Sequence, residues 1–220
     1  LTGYGGTLTA APPVKKEVKE FEMPQRNENM RRVYAYLLHQ RGLSRDVVYA
    51  FAHKNMIYES LPHHNAVFVG YDTDGVPRHA HKRGTGSQST YKGNAEGCIP
   101  EYSFHWNGTS DKIFLFEAPI DMLSYISLNP YQWQKNTYAA SCSVADRVLF
   151  QCLKDNPHIK EVYLCLDNDE AGQTASKRIS DKLFIQGYKT EILTPIHKDW
   201  NEDLIISQKE GELQWTTQLS

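Results

Sequence analysis

Val162–Leu166 is a run of five residues without a charge, and it leads straight into Asp167-Asn168-Asp169 and then Glu170-Ala171-Gly172. A short apolar run bounded by a turn signal reads as a strand buried on both faces, the kind found inside parallel sheets. Ala171-Gly172 gives a helix room to begin. Open α/β sheets place their ligands at the carboxyl ends of their strands, which is where these acids fall. Asp167 and Asp169 are two residues apart, so in extended chain both carboxylates lean to one side. Two close carboxylates repel, and one is driven to protonate. A divalent cation removes that conflict, and hard oxygen donors point to Mg²⁺ or Mn²⁺ rather than zinc. The same Asp-x-Asp also reads as a helix N-cap with a charged neighbour.

The 220 residues allow one large domain or two small ones. A hydrophobic content of 40% with 11% aromatic residues supplies a real core, which excludes a disordered chain. A net charge of -2 gives no global attraction to nucleic acid, so such binding must come from a local patch. Cys98, Cys142, Cys152 and Cys165 form no C-x-x-C pair and read as reduced thiols of a cytoplasmic protein, not disulfides or zinc ligands. No apolar run approaches the roughly 18 residues of a membrane span and no signal peptide is visible, so no membrane partner is expected. A start at Leu1 rather than Met reads as a piece of a longer protein.

Residues 1–26, with their glycines, prolines and the Lys15–Glu20 charge run, read as a linker or the end of a preceding domain. Met30, Val33, Tyr34, Leu37 and Leu38 follow helical spacing, and Gly42 stops the helix. Ser44 offers an N-cap for a second helix carrying Val47, Val48 and Phe51. A helix-turn-helix DNA reader fits this pair poorly, because the second helix is short and not notably basic. Ala66–Tyr71 and Val76–His81 flank Asp72-Thr-Asp-Gly75 as a hairpin. Arg78, Lys82, Arg83 and Lys92, interleaved with His and Tyr, make the most plausible phosphate-contacting patch, against the alternative of a solvated arm. His79 and His81 alternate and could share a metal, but no third ligand is nearby. His63-His64 reads as surface.

From Asp111 the pattern is strand and helix in alternation. Ile113–Phe116 is an apolar strand ending in Glu117, and Ala118-Pro119 starts a helix with Asp121 one turn in. Thr137–Ala140, Val162–Leu166 and Lys189–Leu193 are further strands with helices between them. That order gives an α/β domain with a largely parallel sheet. Glu117, Asp167-Asp169 and Asp199 then follow strand ends on one edge and form one acidic cluster. Asp199, Asn201 and Asp203 also read as capping and turn residues before a helix from Leu204.

These stretches resemble the TOPRIM family, the module shared by DnaG-type primases, topoisomerases, OLD-family nucleases and recombination proteins. Phe116-Glu-Ala-Pro-Ile-Asp121 is similar to the primase form of the first motif, Leu166-Asp-Asn-Asp-Glu-Ala-Gly172 to the second, and Lys198-Asp-Trp-Asn-Glu-Asp-Leu204 to the third. Upstream, Tyr36-Leu-Leu-His-Gln-Arg-Gly-Leu-Ser44 resembles the start of a primase catalytic core. The hairpin resembles the segment ending in a basic Arg, here Arg83; Lys92 is a looser match. The likeness is greatest to primase-like TOPRIM proteins of plasmids and conjugative elements. Some of those carry a zinc ribbon upstream, but residues 1–26 supply no zinc ligands.

The resemblance implies a TOPRIM fold (Rossmann-like, a mostly parallel sheet flanked by helices) over 111–208. It implies a smaller α+β primase-like subdomain over 27–110, with 209–220 as a tail. It implies a primase-like nucleotidyltransferase that makes or extends short primers, with single-stranded DNA, nucleoside triphosphates and a helicase or other replication or conjugation protein as partners. Glu117 is the expected general base or a metal ligand. Asp167 and Asp169, helped by Asp199, are the expected Mg²⁺ or Mn²⁺ ligands, and Asp121 and Asp203 stand behind them. Arg78, Lys82, Arg83, Lys92 and Lys198 are the expected phosphate contacts. A TOPRIM nuclease, using the same acids to activate water, and a non-catalytic DNA- or partner-binding module are the alternatives.

Overall fold

Two sheets follow from two kinds of sequence. The computed structural model describes residues 19–143 and 146–218. Its first unit opens with helix α1 (Arg31–Tyr34), which continues as π-helical turns over Ala35–Gln40 and ends at Gly42. Helix α2 (Arg45–His53) follows. Ser44 stands at its N-cap but makes no side-chain cap bond; its N–H donates instead to Ser127 Oγ. Strands β1 (Ile57–Glu59), β2 (Ala66–Tyr71), β3 (Pro77–Arg83) and β4 (Lys92–Asn94) form an antiparallel sheet in that order. The β2–β3 turn is the Asp72–Gly75 segment, where Asp72 Oδ1 accepts the Asp74 and Val76 N–H groups. Strands β1 and β4 are three residues each, too short and, for β4, too polar to announce themselves in sequence.

Residues 19–26 of the expected linker run beside this sheet. Arg26 bridges Ser60, and Phe21 and Met23 pack on Tyr58, Val67 and Val69. Residues 1–18 lie outside the described residues.

The second unit is the alternating one: β5 (His105–Trp106), β6 (Lys112–Phe116), α3 (Pro119–Leu128), β7 (Thr137–Ala140), α4 (Arg147–Asp155), β8 (Glu161–Leu164), α5 (Glu170–Ile185), β9 (Lys189–Ile192) and α6 (Trp200–Gln218). The sheet order is β5-β7-β6-β8-β9, with β7, β6, β8 and β9 parallel and β5 antiparallel on one edge. The fold is therefore mixed α/β, a mostly parallel sheet flanked by helices. The expected tail boundary at residue 209 falls inside α6, which continues to Gln218.

Alternation along the strands divides the core between the sheet's two faces. Ile113, Leu115, Val162 and Leu164 pack on one side with Leu149, Leu153, Ile179 and Leu183 of α4 and α5. Phe114 faces the other way and stacks on Tyr138 and Tyr163, its cross-strand partners in β7 and β8, at centroid distances of 5.3 and 4.6 Å. That side is continuous with the first unit: Val33, Leu37, Val48, Phe51 and Phe68 share one cluster with Phe104, Phe116, Met122 and Leu204. Burying side chains of this size stabilises by about 1.5–3 kcal/mol each, so the shared core fixes the two sheets against each other.

Candidate active site

Parallel strands carry their carboxyl ends to one edge, and Glu117, Asp167 and Asp199 all follow such ends. Adjacent strands β6 and β8 deliver Glu117 and Asp167, and the Asp167 N–H donates to Glu117 Oε1 at 3.3 Å. Asp199 lies beyond β9 at the start of α6, where its Oδ1 accepts the Glu202 N–H at 2.8 Å. These three and Asp121 line one cleft of about 240 Å³. The first unit supplies a basic wall, Arg41, Arg83 and Lys92, while Lys198 adjoins Asp199 on the acid side, its carbonyl accepting the Asn168 N–H at 2.8 Å. Arg83 and Lys92 are cross-strand partners in β3 and β4, so the antiparallel sheet presents them side by side.

The acids feel one another. Burial pushes Asp167 up to about 7, helped by Glu117, Asp199 and Asp169 and opposed by Lys198. Burial also raises Glu117; the Asp167 N–H and Lys92 oppose the rise, while Asp169 adds to it. Asp121 is nearly inaccessible, and burial followed by Asp167 and Asp199 holds it well above the usual carboxylate range. Asp167 Oδ1 is buried with no hydrogen-bond partner.

Those observations test the site for a divalent cation. The donors are hard oxygens, and an unpartnered buried carboxylate oxygen is an available ligand. Among the described residues no three Asp, Glu, His or Cys side chains converge into a cage. A cation that keeps several waters and binds through one or two carboxylates plus substrate phosphates needs no such cage, which is the habit of Mg²⁺. The residues fit such an ion, with Asp167 as its principal ligand.

Asp169 both flanks the cluster and caps α5, its Oδ1 accepting the Gly172 N–H at 2.8 Å. The two readings of Asp-x-Asp thus divide between the two acids. Gly172 belongs to this turn by close approach: a Cβ there would lie 2.1 Å from the Asp167 carbonyl oxygen.

Three expected site residues face elsewhere. Asp203 holds a loop, accepting the Ile196 and His197 N–H groups and the His197 ring. Arg78 is tied to Asp72 at 2.7 Å in the hairpin turn. Lys82 lies over the Tyr91 ring and lines a separate groove of about 810 Å³ on the first unit, which none of the acids reaches. Strand alternation explains the split: Arg78 and Lys82 share one face of β3, while His79, His81 and Arg83 share the other. His81 lines the cleft and pairs with Asn94 at 2.7 Å. His79 is fully buried, and burial, then His81, lowers it to about 4. His64 is not a free surface residue, because its Nδ1 lies 2.6 Å from the buried Glu59 carboxylate.

Two residues of the cleft, Arg41 and Asn201, and one behind it, Tyr36, carried no expected role in the site. Arg41 lines it from the end of the π-helical segment, donating from Nη1 to Asn201 Oδ1 at 3.1 Å and from Nε to the Tyr36 hydroxyl at 2.9 Å. Tyr36 also accepts from Arg83 Nε at 3.3 Å, so one phenol steadies two guanidinium groups. Asn201 is buried rather than a turn residue; its Nδ2 donates to the Arg41 carbonyl at 2.8 Å and to Ser124 Oγ at 3.0 Å. The only signal in sequence was the position of Tyr36 and Arg41 in one motif-like stretch and of Asn201 in another.

Residues 114–204 match the Toprim-like family, and residues 35–110 match a family described as a protein of unknown function, DUF3991. An uncharacterized protein of Bacillus anthracis, pXO2-78, is 25% identical over 177 residues, 75% of this chain and 48% of that protein. The chain spans less than half the length of the curated relatives it matches. The primase fragment of the bacteriophage T7 primase-helicase protein superposes with a TM-score of 0.56 at 19% identity, covering 80% of this chain and 71% of that one. A DnaG primase catalytic domain bound to ssDNA gives 0.55 at 14% identity, covering 93% and 73%. The acids thus lie on the carboxyl edge of a parallel sheet within the residues that match the Toprim-like family, downstream of the DUF3991 match, and the chain has the fold of primase catalytic cores.

Proposed function

We propose that this chain is a primase-like nucleotidyltransferase that makes or extends short primers on single-stranded DNA. The observation that carries the reading is the two-walled cleft of about 240 Å³: Glu117 and Asp167 on adjacent strand ends share it with Arg41, Arg83 and Lys92 of the first unit, and with Lys198 beside Asp199. Acids alone suit several phosphoryl chemistries. Acids sharing a cleft with four cations suit a polyanionic substrate such as a nucleoside triphosphate, whose charge the cations neutralise and orient. A divalent cation held by Asp167, with Asp199 lining the same cleft, would supply further neutralisation of the phosphates.

The chain's own groups do the rest. Glu117, raised above its ordinary value by burial, accepts the proton of the attacking 3′-hydroxyl. Lys92 beside it favours the ionised, proton-accepting form. Arg41 and Arg83, steadied by Tyr36, hold phosphate oxygens in place while the 3′-oxygen bonds to the α-phosphorus and the bond from that phosphorus to the departing pyrophosphate breaks. Asp121, nearly buried at the edge of the same cleft, acts through its neighbours rather than as base. The T7 fragment comes from a primase-helicase protein, which supports a helicase or another replication protein as partner.

A gel with end-labelled single-stranded oligonucleotide, nucleoside triphosphates and Mg²⁺ or Mn²⁺ tests the reading. New or lengthened products that disappear with Asp167→Asn support it. A shortened oligonucleotide would replace it with the nuclease reading, and no product from a chain that binds the oligonucleotide would leave a binding module.

A further inference from the structure

Among the described residues β9 closes one edge of the five-stranded sheet with no second neighbour. Its inward bonds are assigned: the Lys189 and Leu193 N–H groups donate to the Lys160 and Leu164 carbonyls along β8. Alternate residues of a strand bond to opposite sides, so Thr190 and Ile192 direct their N–H and C=O groups off the open edge. Apolar side chains are exposed on β9 and on the chain just before and after it. Phe184 and Ile185 end α5 at 80% and 84% exposure, and Ile192 and Ile196 stand at 48% and 85%. Those four make up half of the eight large hydrophobics exposed among the described residues. An open edge bordered by exposed apolar groups is a docking surface unless something covers it.

The strand itself indicates the occupant. We infer that a second copy of this chain pairs with it, β9 against β9, in antiparallel fashion about a two-fold axis at Thr190. In that register Thr190 of each copy exchanges both backbone hydrogen bonds with the other, using the groups that point outward. Lys189 of each copy then lies opposite Glu191 of the other in the closely spaced, non-hydrogen-bonded pairs, giving two opposite-charge contacts. The neighbouring registers fail on charge: centring on Glu191 sets Glu191 against itself, and centring on Lys189 does the same for Lys189. Thr190 and Ile192 are the ladder partners of Val162 and Leu164, which pack on Ile179 and Leu183 of α5. Helix α5 therefore lies on the Thr190/Ile192 face. A two-fold axis perpendicular to the sheet brings the two α5 helices to the same side of the junction, each ending in the exposed Phe184 and Ile185. Edge pairing of this kind is isologous and closed, so it stops at two copies and joins the two sheets into one.

Sedimentation equilibrium of the 220-residue chain across a wide concentration range tests the inference, with Lys189→Glu, Glu191→Lys and the double charge swap measured beside it. The expected result is a monomer–dimer equilibrium. Each single reversal weakens it at least about tenfold, and the double swap restores it. Circular dichroism of each variant checks that the fold is kept. The double swap distinguishes a cross-copy contact from the Lys189–Glu161 bond at 2.7 Å within the chain, which it does not restore. If a single variant unfolds, Ile185→Asp at the helix end reports on the same junction and is expected to shift the equilibrium toward monomer. A chain that stays monomeric, or a dimer indifferent to every one of these changes, overturns the inference and leaves the edge to a different protein or segment.

Discussion

Arg41 and Asn201, 160 residues apart in sequence, exchange two hydrogen bonds in opposite directions: guanidinium to side-chain oxygen at 3.1 Å, and side-chain amide to main-chain carbonyl at 2.8 Å. The first unit thereby sets the angle of the basic wall by gripping the helix that follows the third acidic stretch. Asn201→Ala leaves the Arg41 carbonyl and Ser124 Oγ without their donor and frees the guanidinium. We expect a loss of about 1–3 kcal/mol in urea unfolding. A change within a few tenths would show that the linkage contributes nothing to the fold.

Tyr36 is the acceptor that Arg41 and Arg83 share. Tyr36→Phe keeps the ring and removes the oxygen. Stability should fall by about 0.5–1.5 kcal/mol. On the proposed function, KM for the nucleoside triphosphate should rise several-fold while kcat changes less, because both guanidinium groups remain but are less well held. Steady-state kinetics separates the two, and an equal fall in kcat with KM unchanged would contradict a positioning role.

Asp167 is a buried carboxyl among like charges, pushed up to about 7. A carboxyl raised in the folded state stabilises the fold below its unfolded value of about 4, and that contribution is lost as pH rises through the folded value. In EDTA, Asp167→Asn should therefore raise Tm at pH 8, with the gain shrinking toward pH 5, even as nucleotide addition is abolished. A variant less stable than the natural chain at pH 8 would show that the repulsion is already relieved.

Glu59 behaves oppositely. Burial alone would raise it, but His64, the Val33 N–H, Asn27 and the Arg32 N–H together hold it below the usual range. Its stabilisation is complete above the unfolded value of about 4.3 and is lost as pH falls through the lower folded value. Glu59→Gln should cost about 1–3 kcal/mol at pH 7. That difference should narrow as unfolding is followed down to pH 3. A cost that does not change with pH would locate the effect in packing rather than charge.

What the sequence discloses depends on how local the cause is. Ile113–Phe116 and Val162–Leu166 are legible because a strand buried on both faces needs an unbroken apolar run, and Glu117 and Asp167 follow by position. Strand β5, two residues long, exists because Trp106 and His105 pair with Tyr138 and Ala139, a cause that lies elsewhere in the chain. Arg41 and Asn201 are illegible for the same reason: each is ordinary alone, and their meaning is the contact. Arg78 and Lys82 could have been separated from Arg83 beforehand, since alternation along β3 already sends them to the opposite face. For Asp203, the loop at Ile196–His197 claims the carboxylate, which spacing alone did not show.

The most direct test of the central claim is the rate of nucleotide addition by Glu117→Gln under single-turnover conditions, with oligonucleotide and nucleotide binding measured in parallel. The account predicts a fall of about 10²–10⁴ in rate, as expected for loss of a general base, with binding changed little. Addition at the rate of the natural chain would contradict it, because the acid on β6 would then have no part in the chemistry.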